Sequence, residues 1–381
     1  MAGHVVVVGG GVVGCGAAYA LARRGVRVTL VDRADDGQAT AAGAGIVAPG
    51  TVVSAPEGWY PLAFGGAAYY PELLASLAED GIADAGYTVT GGLFIAGDDA
   101  ERERLAGVCR LLRERAGAGV PNLGEVGLAD EAQVRELCPV LAPGVTGIHM
   151  SGVGRVNGRL LRDALSQAAR RLGGRLLHTG AQVAMHNGRA TGVVTDDGDQ
   201  IGADAVILAT GAWPGAWAGL PGQAVAVRPQ RGQILHLDLP GSGAANWPVI
   251  EGFTDPYLLG FPPHRVVAGA TREDGTGFDY RVTAAGQHWL LDRALARAPG
   301  LARATVAETR VGFRPVTPDG LPVLGRAPEP GNVWFATGTA AEGLTMGPYL
   351  GALAAGLACG EPLPLDGAPY DPARFRPVPP S

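Results

Sequence analysis

Between an all-apolar run, Val5 to Val8, and an alanine-rich stretch that reaches Arg24, the chain carries Gly9-Gly10-Gly11-Val12-Val13-Gly14. The spacing is GxGxxG, set directly after an expected strand and opening an expected helix. The first glycine permits a tight turn, the second lets backbone approach a pyrophosphate, and the third lets helix and strand pack closely. Phosphates would then meet the positive end of the helix. After Gly25, a second apolar run from Arg27 to Val31 ends at Asp32, about 20 residues on, where a carboxylate can accept hydrogen bonds from a ribose. Strand, turn, helix and strand make a βαβ unit. A carboxylate rather than an arginine at this point favours FAD or NAD over NADP, although Arg33 stands beside it.

The 381 residues, 47% of them apolar, suffice for a large core and predict two domains. Glycine (61) and proline (29) are abundant but dispersed among periodic segments, which argues against a disordered chain. A charged fraction of 17% and a net charge of −6 exclude a surface suited to nucleic acid. There is no lysine, so all 30 basic residues are arginine. A lysine Schiff base, a phosphate-loop lysine and a lysine general base are thereby excluded, and each buried arginine gains weight as a carboxylate clamp. Cys15, Cys109, Cys138 and Cys359 are far apart and form no CxxC or Cys/His cluster. Neither a zinc site nor a disulfide framework is indicated, and a reducing, cytoplasmic setting fits. The seven histidines show no HxH, HExxH or paired spacing and read as surface or structural. Val5–Ala22 and Gly343–Gly360 are uncharged over the roughly 18 residues at which a transmembrane helix is considered. Both are studded with glycine, neither has signal-peptide features, and no transmembrane segment is expected.

Further along, Tyr69–Ala78 and Arg159–Leu172 read as helices. Tyr87–Ala96, Val225–Leu239 and Tyr257–Thr271 are β-rich with glycine or proline punctuation, as antiparallel strands of a second domain would be. Strands are also expected near Arg175–His178, Gln182–Met185, Ala190–Thr195 and Val206–Ala209. The α/β pattern therefore resumes after Gly147 and again after Val311, so the nucleotide domain assembles from three segments with the second domain inserted twice. No internal repeat is visible, and the proline-rich tail after Gly360 reads as irregular. The segment Ala39 to Ile46 is either a flexible alanine-glycine loop or a row of amides for a cofactor. Gly338 to Thr345 leads into a helix rich in Ala, Gly and Leu, whose N-terminus would stabilise negative charge on a reduced flavin ring.

Taken with AGAGIVAPG, YYPELLASLAEDGIADAGYTVTGGLFIA, GRVNGRLL, DAVILATGAWP, RPQRGQIL, GATREDGTGFD, GFRPVTPDGLPVLG and GTAAEGLTMGP, the N-terminal motif resembles the FAD-dependent D-amino acid oxidase superfamily, in the branch holding glycine oxidase and D-amino acid dehydrogenase. The stretches cover nearly the whole chain in family order. The resemblance implies an α/β fold, a Rossmann-type FAD-binding domain with an inserted antiparallel-sheet (α+β) substrate domain. FAD-binding segments would span 1–54, 146–222 and 310–381, and substrate-domain segments 55–145 and 223–309. It further implies FAD contacts from Gly9, Gly11, Val12, Val13, Gly14, Asp32 and Arg33, and from Ala39, Thr40, Ala44, Gly45, Ile46 and Val183. Gly211, Gly312 and Gly338 join them, with Thr339, Ala340, Ala341, Glu342, Gly343, Leu344 and Thr345 near the flavin.

Arg314, in Gly312-Phe313-Arg314-Pro315, would bind the substrate carboxylate through its planar fork, and Tyr257 would lie over the substrate. The plainer readings are an interdomain ion pair and core packing. Three departures from the family stand out. Ala341 replaces a second arginine of glycine oxidase. Gly312 stands where sarcosine-type oxidases attach flavin through cysteine, which implies non-covalent FAD. The lysine that activates oxygen in those enzymes has no counterpart, Val267 being nearest. The implied activity is oxidation of the CH–NH bond of an amino acid or related amine, such as a D-amino acid, glycine, sarcosine or a cyclic imino acid. Oxygen or another carrier would accept the electrons. The alternatives are a flavin-dependent 2-hydroxy acid dehydrogenase, which needs a general base, and a redox-silent FAD-binding protein.

Overall fold

The structure, a computed structural model, describes residues 3–215, 220, 225–254 and 256–375. Among these, one sheet runs in the order β19 (Val323–Arg326), β20 (Val333–Thr337), β13 (Ala205–Leu208), β1 (His4–Val8), β2 (Arg27–Val31) and β9 (Arg175–Leu177). All neighbours are parallel except β19 and β20. The unbroken valines of β1 are wholly buried because both faces of this sheet are covered. On one face lie α1 (Val12–Arg23), α6 (Gly158–Arg171) and α8 (Gly343–Ala358), together with α3 (Trp59–Glu79). On the other lies a meander of β10 (Ala181–His186), β11 (Arg189–Thr195) and β12 (Gln200–Gly202).

The two uncharged, glycine-studded stretches meet here. A Cβ at Gly16 would stand 3.1 Å from the Pro348 carbonyl oxygen, and one at Gly351 would overlap that of Val13. Small residues thus bring the backbones of α1 and α8 into direct contact. No helix among the described residues is long and apolar enough to cross a membrane.

The larger sheet runs in the order β18 (Thr305–Val316), β14 (Arg228–Asp238), β17 (Arg265–Gly269), β16 (Tyr257–Phe261), β15 (Val249–Gly252), β5 (Gly92–Ala96), β7 (Thr146–Met150) and β6 (Val126–Ala129). It is mixed rather than purely antiparallel: β15 and β5, from the two separate excursions of the chain, pair in parallel. Its outer face is packed by α5 (Glu131–Leu137) and α7 (Ala284–Arg297). The opposite face carries α4 (Asp99–Gly117) over β5 and β7. A short sheet of β3 (Ile46–Val47), β8 (Gly154–Val156) and β4 (Tyr87–Val89) links the two layers, and α2 (Ala39–Ala42) lies beside β18.

The expected segment edge at 145/146 coincides with the start of β7, a strand of the larger sheet, so the chain returns to the first layer only after β8. The edge at 309/310 falls inside β18, which stays in the larger sheet to Val316. The edge at 222/223 lies outside the described residues. The helix expected at Tyr69–Ala78 begins a full ten residues earlier, at Trp59, and holds Pro71 in its interior.

Candidate functional site

β1 delivers the chain to Gly9, whose φ of +106° suits glycine and where a Cβ would strike the Ala209 carbonyl oxygen. Gly14 packs back on the Gly9 backbone with no room for a Cβ. Helix α1 opens after Gly11, which has no side chain to cap it, so its N-terminus keeps a positive partial charge toward the adjoining space. The Val12 amide donates to Thr40 Oγ1 at 3.0 Å, tying the 39–46 segment to the start of the helix. Asp32 accepts from the Gly10 amide at 2.9 Å and from Gln38 Nε2 at 3.1 Å.

A cavity of about 580 Å³ extends from this loop in two directions. One end, beside Asp32 and Arg33, is bordered by Thr179 to Gln182 and by Asp196. The other end is floored by the inner face of the larger sheet, where alternate residues of several strands come together: Gly312 and Arg314 on β18, Gly232 and Ile234 on β14, Tyr257 on β16 and Glu251 on β15. Two of these side chains lie across glycines of the neighbouring strand. The Arg314 guanidinium covers Gly232, where a Cβ would stand 2.7 Å from Nη2 and 2.8 Å from Cζ. The Tyr257 ring covers Gly269, its register partner. Arg314 Nη1 donates to the Thr271 carbonyl at 3.0 Å and lies 3.5 Å from Gln230 Oε1.

Two carboxyl groups reach the same end. Burial pushes that of Glu251 up to about 7, against the pull of Thr51, whose hydroxyl donates to Oε2 at 3.0 Å. Burial likewise raises Glu342, opposed by the Thr345 hydroxyl at 3.3 Å and by the charges of Arg272 and Arg314. The N-terminus of α8 meets the cavity through Gly343 and Leu344, adding positive potential. No histidine is among the described residues that line it, and none of the described His, Cys, Asp and Glu side chains form a group able to hold a metal.

Most residues expected at the cofactor line this cavity. Gly9, Gly11, Val12 and Val13 do so at the phosphate loop, Asp32 and Arg33 at the end of β2, and Ala39, Thr40, Ala44, Gly45 and Ile46 opposite them. Gly211, Gly312, Thr339, Ala340, Ala341, Glu342, Gly343 and Leu344 complete the wall, with Tyr257 and Arg314 on the sheet. Four stand behind it. Gly14 packs on Gly9, and Gly338, with φ of +76°, on Thr317 and Val323. Thr345 is buried with its hydroxyl 3.1 Å from the Ile46 carbonyl. Val183 packs under the first sheet while Ala181 and Gln182 of its strand line the cavity.

Arg272, Glu251, Thr179 and Asp196 line the cavity without having been singled out in the sequence. Arg272 stood within GATREDGTGFD, and a chain with no other kind of basic residue than arginine was the signal that could have flagged it. Val267 is buried in the larger sheet, and His236, expected as structural, is buried on β14.

The dimensions suit FAD. Glycines let backbone close on a phosphate at the middle, a carboxylate stands at one end, and a broad chamber opens over the sheet at the other. Position 312 offers no sulfur, a Cβ there would meet the Ala42 Cβ at 2.7 Å, and none of the cysteines lines the cavity. Residues 4–357 match the DAO family, described as FAD dependent oxidoreductase. A Bacillus subtilis protein called uncharacterized oxidoreductase YurR is 43% identical over 97% of this chain and 98% of its own length. The glycine oxidase of Pseudomonas putida is 30% identical over 98% of this chain and 99% of its own. Among solved structures, iminodiacetate oxidase from Chelativorans sp. BNC1 is 41% identical with a TM-score of 0.92, covering 97% of this chain and 98% of that one. Glycine loop, two-layered architecture and sequence likeness along almost the whole chain converge: the protein belongs to the DAO family of FAD-dependent oxidoreductases and holds its FAD without a cysteinyl link.

Proposed function

We propose that the enzyme oxidises the carbon–nitrogen bond of an amine that carries a carboxylate, an amino acid or a close relative of one. The observation that carries this is Arg314, a guanidinium laid flat over Gly232 on the sheet face of the cavity. A planar fork there matches a carboxylate bidentately. The names of the similar proteins, glycine oxidase and iminodiacetate oxidase, support the same substrate chemistry.

Gly9 to Val13, Asp32, the 39–46 segment and Thr339 to Leu344 would hold FAD, which when bound accepts a hydride, and with it two electrons, from the carbon next to nitrogen. Arg314 holds the carboxylate and so fixes which hydrogen of that carbon is presented; positioning of this kind needs no acid or base on the carbon itself. Tyr257 lines the same sheet face, over Gly269. Glu251 and Glu342, which line the same end, would hold the proton that leaves the nitrogen. Loss of hydride from carbon and of a proton from nitrogen gives an imine, to which water adds, releasing an amine and a carbonyl compound. Oxygen or another acceptor takes the two electrons afterwards.

Glu251 also favours one second reading, because a carboxyl with a pKa of about 7 could serve as base for an alcohol, the requirement of a 2-hydroxy acid dehydrogenase. One experiment decides between them. Holoenzyme is mixed without air with D- and L-amino acids, N-methylglycine, cyclic imino acids and the matching 2-hydroxy acids, and bleaching of the flavin is followed. Amines that carry a carboxylate should bleach it. Bleaching by hydroxy acids alone would replace the amine reading, and bleaching by neither would leave a redox-silent FAD protein. Arg314→Leu should lower kcat/KM on the acid substrate about 30-fold to several-thousand-fold, as loss of a desolvated charge partner costs about 2–5 kcal/mol.

A further inference from the structure

Two guanidinium groups border the sheet end of the cavity, and they come from different strands. Arg314 sits on β18, and Arg272 follows the end of β17, with β14 between them. Arg314 Nη1 donates to the carbonyl of Thr271, the residue before Arg272, so the two positive groups enclose one space. Both act on the carboxyl of Glu342, which in turn repels that of Glu251. Two arginines and two glutamates therefore share one end of one cavity. Arginine keeps its charge at any working pH, whereas two neighbouring buried carboxyls resist ionising together. Two guanidinium groups thus border the chamber whatever the state of the two carboxyls. A molecule that fills it is complemented best when it carries two negative groups and a nitrogen that can donate to a glutamate. Ala341 offers no guanidinium from the segment before α8, whereas Arg272 brings one from just beyond the end of β17.

We propose that the substrate is an amine bearing two carboxylates: Arg314 holds the one next to the carbon that is oxidised, and Arg272 holds the other. The proposal rests on the amine reading above and narrows it. Arg272 acts as a specificity residue, since it meets the distal carboxylate and not the reacting bond. The reaction is that already described, hydride from carbon, proton from nitrogen and addition of water. For N-(carboxymethyl)glycine it releases glycine and glyoxylate.

The test compares matched pairs on the holoenzyme without air: N-(carboxymethyl)glycine with N-methylglycine, and aspartate with alanine in both enantiomers. Flavin bleaching and kcat/KM with a dye acceptor are read. Binding is read separately, from the visible spectrum of the bound flavin, with oxydiacetate against methoxyacetate, which carry two and one carboxylates and no amine. The dicarboxylic member of at least one amine pair should exceed its partner by at least about tenfold, and oxydiacetate should bind at least about tenfold tighter than methoxyacetate. Arg272→Gln should bring both ratios close to one, and Arg272→Lys should restore part of them. Preference for the nitrogen-bridged or the single-chain diacid shows which spacing the two arginines accept. Ratios at or below one in the wild type, or ratios that survive Arg272→Gln, overturn the dicarboxylate assignment and leave the amine reading standing. If no amine of either kind bleaches the flavin, the amine reading is overturned and this narrower one with it.

Discussion

Gly232→Ala perturbs Arg314 without replacing it. A Cβ at position 232 would stand 2.7 Å from Arg314 Nη2 and 2.8 Å from its Cζ and Nη1, where atoms of this kind settle at about 3.5–4.0 Å. The guanidinium must lift by roughly 1 Å to clear it. The backbone at 232 is not left-handed, so alanine fits the strand and gains about 0.5–1 kcal/mol over glycine in chain entropy. Arg314 is long and can move, so the fold should tolerate the methyl group. Catalysis should not, because a displacement of about 1 Å in a positioning group costs about 10²-fold. The expected outcome is an unchanged or slightly raised melting temperature, full FAD content, and kcat/KM on the acid substrate reduced about 10- to 100-fold, equivalent to about 1.4–2.7 kcal/mol. A double-mutant cycle isolates the cause: in an Arg314→Leu background the alanine has no guanidinium left to displace and should add almost nothing. Wild-type kcat/KM in Gly232→Ala, or losses that multiply in the double variant, would refute the placement of Arg314 as the carboxylate clamp.

Two further outcomes follow from the site. Acid precipitation should release all the flavin as intact FAD, and yellow colour retained in the washed pellet would contradict the absence of a covalent link at Gly312. Glu251→Gln should change stability with a definite sign. The carboxyl is raised from 4.5 to about 7 in the folded protein, so its favourable contribution is complete below about pH 4.5 and is lost as pH rises through 7. The melting temperature of the variant relative to wild type should therefore climb between pH 5 and pH 8, by a few degrees for each kcal/mol involved, and a difference independent of pH would show that Glu251 is not buried as described.

The glycine loop, Asp32 and the first βαβ unit were legible because each depends on residues close in sequence. Helices α4, α5 and α7 were not placed, although their caps were written out: Asp98 accepts from the Glu101 amide, Asp130 and Gln133 form a capping box, and Thr283 accepts from the Gly286 amide. In α4 only Leu105, Cys109 and Leu112 are buried, a stripe too narrow to stand out among the charges of an exposed helix. Pro71 reads as an early helical position, and tertiary packing under α8 carried the helix through it. The parallel join of β15 to β5 was invisible because nothing local marks which distant strand will lie beside which. Arg314 and Tyr257 were reached by resemblance alone. Arg272 shares their chamber only because β14 lies between β17 and β18, a fact of strand order with no trace in the spacing of residues.

The crossing of α1 on α8 sets the timetable on which the protein can be made. Strands β1, β13 and β20 lie side by side but come from the beginning, middle and end of the chain, and the glycine contacts that seat α1 belong to a helix beginning at Gly343. At about 5–20 residues per second, a ribosome needs on the order of tens of seconds to deliver the roughly 300 residues between them. For that interval α1, apolar up to Arg23 at its end, lacks the helix against which its glycine face packs. The apolar face of α1 that α8 covers should thus stay open until α8 has been made, and the cavity wall that α8 and the segment before it supply closes only then.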